Sequence, residues 1–219
     1  MPNFSFFGSQ QMPGTLANMG AEAFTTTFVA QGVVLASTTS ATVITGHGND
    51  QTVLVAGQVW SYFATPVVLN SDRGSIDVLS TGSLLNTGAS YVPAIVLGNV
   101  NLITVSLNNA GEVVGGSGVF ASSNFDILNS GRIVSHGIGG TSESFVGSAI
   151  MMTNAFALTG RIDNTGVIEG AVQGTGNILG GRRAAVYEPG NDGDPSFGYA
   201  LTINNSGTIL GDMVLARLE

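Results

Sequence analysis

Ligation of a hard cation by oxygen atoms is the chemistry that the residue types of this chain suggest first. The run Glu188-Pro189-Gly190-Asn191-Asp192-Gly193-Asp194 sets Glu188, Asn191, Asp192 and Asp194 within seven residues, with two glycines to let the backbone curl. Calcium takes six to eight oxygens, so loop carbonyls or water would complete the shell; a solvated polar loop is the competing reading. Asp50, in the glycine-rich run 46–53, is a further candidate ligand. Interturn calcium sites need two or more adjacent copies of such a run, and a single copy reads as a turn entering a strand at Val53. Acid–base chemistry on a polysaccharide would need carboxylates, with a basic residue, converging in a groove. Asp126, Arg132, Arg161, Asp163 and Glu169 are the candidates. His47 and His136 stand in separate loops without an evident acidic partner, and no serine is set beside a base and an orienting acid.

The elements that would carry these residues are constrained by composition. Of 219 residues, 43% are hydrophobic and only 9% charged, and 32 are glycine. That is apolar enough to bury a core, which excludes disorder. Six arginines, no lysine and 14 acidic residues give a net charge of -8. No basic stripe is present for neutralising phosphates, so nucleic acid is excluded as a partner. The absence of cysteine excludes disulfides, thiolate metal sites and a cysteine nucleophile. No window has the roughly 18 uncharged apolar residues of a membrane-spanning helix. Met1 to Gly20 also lacks the pattern of a secretory signal.

A repeat organises the rest. Gly57, Gly82, Gly111, Gly131, Gly166 and Gly207 each follow a small residue and precede an apolar residue two positions on. Four residues before them stand Val53, Val78, Leu107, Ile127, Ile162 and Ile203; two before the last four stand Asn109, Asn129, Asn164 and Asn205. Gly32, flanked by Phe28 and Val34, reads as an earlier anchor. Asparagine and glycine tolerate left-handed backbone angles, so each copy reads as a strand, a tight corner and a strand. The segments Ala94-Ile95-Val96, Ala149-Ile150-Met151 and Ala185-Val186-Tyr187 supply candidate strands on another side. Anchor spacings of 25, 29, 20, 35 and 41 residues describe equal coils with unequal loops.

One such coil cannot bury its apolar face, so equivalent strands must stack about 4.8 Å apart. The chain therefore reads as all-β: a parallel β-helix of about seven coils, with an N-terminal cap at 1–22 and a β-helix at 23–219. Loops would leave it at 136–148 and 187–199. Stacked asparagines at one corner would bond amide to amide, offsetting the cost of burying them.

The Asn-(Ser/Thr)-Gly-x-Ile repeat, over roughly residues 46–215, resembles the β-helical passengers of bacterial autotransporters and filamentous adhesins. It resembles still more the N-terminal β-helical part of secreted bacterial proteins of the RTX calcium-binding type. The resemblance implies secretion, a cell-surface or matrix location, and adhesion or scaffolding. Departing from it, the chain has no array of Gly-Gly-x-Gly-x-Asp nonapeptides and no membrane barrel. The expectation is thus a structural, non-enzymatic rod, without a cofactor unless calcium, displaying loops with Phe145, Tyr187, Phe197 and Tyr199 for contacts such as surface glycans. A polysaccharide lyase or hydrolase is the alternative. The C-terminal strand edge is expected to pair with a second copy or with further downstream sequence.

Overall fold

The computed structural model describes residues 3–88, 92–98, 104–136, 147–152, 158–171, 184–187 and 199–214. It is a parallel β-helix of three sheets, each of eight strands. Every successive triplet of strands makes one coil, contributing one strand to each sheet. The first sheet is built from Phe4–Phe6, Thr26–Val29, Thr52–Val55, Ser75–Val78, Val105–Asn109, Phe125–Asn129, Leu158–Asn164 and Tyr199–Asn205. The second runs from Gln10–Met12 to Thr208–Leu210, and the third from Ala17–Asn18 to Asp212–Val214. No described residue is helical.

Alternation along each short strand produces the core. In the first sheet Val53, Ile76, Leu107, Ile127 and Ile162 lie in one inward column, all fully buried. Leu35, Val59, Leu84, Val113, Ile133 and Ile168 form the equivalent column of the second sheet. The third contributes Ile44, Val67, Ile95, Val119, Ile150 and Val186. Ala94 and Ala149 directly precede strands of that sheet, Ala185 lies within Ala184–Tyr187, and all three are buried. β-Branched and Leu side chains stacked on their own kind fill these columns, and Thr27, which continues the first of them, is a buried polar exception.

Four features differ from the sequence reading. Within the expected cap at 1–22, the described residues 3–22 supply the first coil, through strands Phe4–Phe6, Gln10–Met12 and Ala17–Asn18, and so extend the sheets. Its lack of an Asn-Gly corner hides it in the sequence. Val78 is buried, but it pairs with Asn109 and Val55, while Ile76 takes the column of Leu107. The corner between Val78 and Gly82 is two residues longer than that between Asn109 and Gly111, which shifts the alignment by one alternation. Gly32 is not the register residue of its coil: Val34 pairs with Gln58, placing Val33 opposite Gly57, and Phe28 and Val34 face outward.

The fourth concerns why the corners need glycine. None of the six anchor glycines has a positive φ, nor do the corner asparagines. The demand is for clearance between coils. A Cβ on Gly131 would lie 2.1 Å from the Gly111 carbonyl oxygen, and one on Gly166 would lie 2.1 Å from that of Gly131. The same close approach recurs from Gly82 to Gly111 and from Gly166 to Gly207. These carbonyls accept from the next coil: Arg132 N bonds Gly111 O at 2.9 Å and Val167 N bonds Gly131 O at 2.8 Å.

Candidate functional site: the groove along the asparagine corner

The corner between the first two sheets is held by a ladder of amides. Asn109 Nδ2 donates to Asn129 Oδ1 at 2.8 Å, Asn129 Nδ2 to Asn164 Oδ1 at 2.7 Å, and Asn164 Nδ2 to Asn205 Oδ1 at 2.7 Å. Each also donates to a carbonyl of the next coil, on Arg132, Val167 and Thr208 respectively. Asn109, Asn129 and Asn164 are at most 2% exposed, so these bonds replace the water the amides have lost. Lower in the stack the same column is apolar, with Phe6, Val29, Val55 and Val78. Polar stacking therefore begins at the fifth coil.

Outside this ladder runs a groove of about 280 Å³. Ala110, Ser130 and Thr165 are among its lining residues, and small side chains at the corner keep it open. One outward column of the first sheet borders it: Asp77, Asn108, Leu128 and Asp163, continued by Asn204. Asn108 Nδ2 donates to Asp77 Oδ1 at 2.6 Å, and Asn204 Nδ2 to Asp163 Oδ1 at 2.7 Å. Two carboxylate–amide pairs thus flank the exposed Leu128, with exposed Leu79 at the same corner. The Asn204 amide, then the Arg161 guanidinium, hold the Asp163 carboxyl below the usual range despite an opposing desolvation effect. Asp163, named from the sequence as a candidate carboxylate, belongs to this corner column. Asp77 was missed because the two extra residues before Gly82 disguise its register; aligning Ser-Ile-Asp-Val at 75–78 with Ser-Leu-Asn-Asn at 106–109 reveals it.

The other sequence candidates divide between two faces. Asp126 and Arg161 are register partners on adjacent coils, but Arg161 bonds Asp163 on its own strand. Arg132 and Glu169 stand on the second sheet. Arg132 Nη1 lies 3.0 Å from Glu112 Oε1 and Nη2 3.7 Å from Glu169 Oε2, an exposed chain of charge across three coils. His47 Nε2 is 3.2 Å from Thr45 Oγ1, and His136 Nε2 reaches the Asn86 carbonyl.

Asp50 occupies a left-handed turn, φ 53°, with both carboxylate oxygens engaged by Arg73 at 2.8 Å. Arg73 hydrogen bonding holds the Asp50 carboxyl below its usual range. Glu188, Asp192 and Asp194 lie outside the described residues, as do Phe145 and Phe197. Tyr187 ends the strand Ala184–Tyr187 and is 5% exposed, so it does not offer the displayed ring the sequence reading allowed; burial pushes its phenol up to about 12. Tyr199 opens the last strand of the first sheet. Among the described residues no three His, Cys, Asp or Glu side chains group as a metal site, and no helix is long and apolar enough to cross a membrane.

Comparison with protein-family models, with curated proteins and with solved structures gives no match. The class that the geometry defines is architectural: a three-sheet parallel β-helix with an internal asparagine ladder.

Proposed function

We propose that this protein is a secreted or bacterial cell-surface structural β-helix that adheres to elongated glycans through the groove along its asparagine corner. The observation that carries this reading is the groove's column, Asp77-Asn108-Leu128-Asp163-Asn204, which repeats hydrogen-bonding groups coil by coil around an apolar centre. A carboxylate beside an amide offers acceptors and a donor to the hydroxyls of a sugar ring, and a leucine offers a face for its C–H groups. Groups repeated on a rigid rod act together, so weak contacts sum into adhesion. The repeat's resemblance to adhesin passengers supports the extracellular location.

The role is proposed as non-catalytic. Asp77 and Asp163 are three coils apart, about 14 Å at strand spacing. Paired carboxylates in glycoside hydrolysis stand about 5 to 9.5 Å apart. The Arg161–Asp163 pair beside the groove is what a lyase or hydrolase reading would build on, and product assays separate the two. Calcium is proposed to bind through Glu188, Asp192 and Asp194 rather than Asp50, whose carboxylate is occupied by Arg73.

The test is binding of a neutral hexasaccharide such as cellohexaose, followed by calorimetry, to the protein and to D77A and N108A. Both side chains face solvent, so the fold should survive. Loss of binding in the variants supports the groove. Unchanged binding, or release of cleaved sugar by the unaltered protein, contradicts the reading.

A further inference from the structure

One exposed cluster of side chains serves neither the core nor the groove. Trp60, Tyr62 and Phe63 stand together in a chain that is only 7% aromatic. Trp60 points outward from the strand Gln58–Ser61, half-buried, beside Leu85 of the next coil. Tyr62 and Phe63 follow that strand at the corner leading to Val67–Leu69, and are 48% and 57% exposed. Their rings meet edge to face, with centroids 4.7 Å apart at 75°. Ser61 pairs with Ser37 and Asn86 in the adjacent coils, where the residues that follow are Thr38-Thr39 and Thr87-Gly88. Small residues thus suffice to turn this corner, and stacking of the coils does not require aromatic rings at it.

The corner holds the rings in place. Ala64 N donates to Ser61 Oγ at 3.1 Å, and the fully buried Asn86 of the next coil donates from Nδ2 to the Ala64 carbonyl at 2.8 Å. Trp60 Nε1 donates to Thr87 Oγ1 at 2.9 Å, which orients the indole. A Cβ on Gly88 would overlap the Tyr62 carbonyl, so the next coil closes tightly against this backbone. Aromatic side chains have few torsions to freeze, and a surface ordered beforehand spares a ligand that cost.

The surroundings select the ligand. No charged residue occurs at 51–71 or at 78–111, although the chain carries a net charge of -8. A charged group docked here would give up hydration with no counter-charge to replace it. The exposed ring surface is roughly 250 Å², far below the about 800 Å² that each partner buries in a stable protein interface. A small neutral ligand with both apolar faces and hydroxyls satisfies both limits. The C–H groups on the face of a pyranose pack on an aromatic ring, and its hydroxyls can bond those of Tyr62 and Thr87. We propose that Trp60, Tyr62 and Phe63 form a second carbohydrate site, which stacks neutral pyranose rings at the corner between the second and third sheets. The site lies across the second sheet from the groove and does not depend on the groove's binding glycans.

Trp60 is the chain's only tryptophan, so its emission reports this site. Titration of the full chain with cellohexaose and with chitohexaose should give a saturable change in that emission for at least one of the two. The response should persist in D77A, which alters the groove, and weaken at least tenfold in Y62L and in F63L, which keep apolar bulk but remove a ring face. Circular dichroism checks folding; Y62M and F63M replace either variant that fails to fold. No change with either sugar, a response lost in D77A, or a response unaltered in either leucine variant overturns the inference. A dimer in light scattering that Y62S and F63S dissolve would assign the rings to a second copy and overturn it too.

Discussion

Asn129 shows at the scale of one residue how this fold tolerates a buried polar group. Its amide accepts from Asn109 and donates to Asn164 and to the Val167 carbonyl, so truncation removes one amide and strands its neighbours. Each buried group left unpaired costs about 1 to 3 kcal/mol. N129A is therefore expected to lower the denaturation midpoint strongly, whereas N205A, at the exposed end of the ladder, should lower it little. Chemical denaturation of the two variants checks the contrast. The acidic residues give a pH prediction. Asp50 and Asp163 have depressed folded values, so their contribution is present above the unfolded carboxylate value of about 4 and is lost as pH falls through the folded value. Both carboxylates pair with exposed arginines at the surface, so the effect is small. Thermal melting between pH 5 and 2 should show stability falling with acid, and R73Q should flatten that slope.

Coils, the elements of this protein, are specified by clearance and alternation. G131A would press a methyl group against the Gly111 carbonyl, which is backbone and cannot swing away. Overpacking costs about 1 to 3 kcal/mol and occasionally more, and G131A should show at least that in denaturant melts. I162A, which opens a void in the fully buried column between Ile127 and Ile203, should cost about 2 to 5 kcal/mol. The last four coils were legible in the sequence because Asn, a small residue and Gly recur with fixed spacing there. The strands Ile95–Leu97, Ile150–Met152 and Ala184–Tyr187 were legible from the pattern of alanine followed by apolar residues, whereas Val67–Leu69 and Val119–Ala121, preceded by Pro66 and Gly118, were not. Earlier coils were obscured for physical reasons: Val29, Val55 and Val78 occupy the asparagine column, and apolar residues there look like any strand. Two added residues before Gly82 then moved Asp77 out of its apparent column and hid half of the candidate groove. The reason for glycine was also not readable, since a Cβ clash between coils is a property of stacking and leaves no trace in one copy.

At the scale of the whole molecule, most contacts among the described residues join residues a full coil apart in sequence, and the same geometry generates groove and ladder. The net charge of -8 and the groove carboxylates set the ligand's sign: a neutral glycan should bind, and a polyuronate of equal length should bind more weakly, the difference shrinking in high salt. Calorimetry at two ionic strengths compares them. All of this depends on parallel, in-register coils. Ser106 and Asp126 are register partners on the outer face, 20 residues apart, and parallel neighbours at about 4.8 Å lie within disulfide reach. Since the chain has no cysteine, a double variant S106C/D126C carries the only thiols. Oxidation followed by mass spectrometry should show rapid intramolecular crosslinking in that variant and slow or no crosslinking in S106C/L128C, whose partner lies two residues along the strand. Equal rates, or faster closure of the offset pair, would contradict the β-helix register on which the account stands.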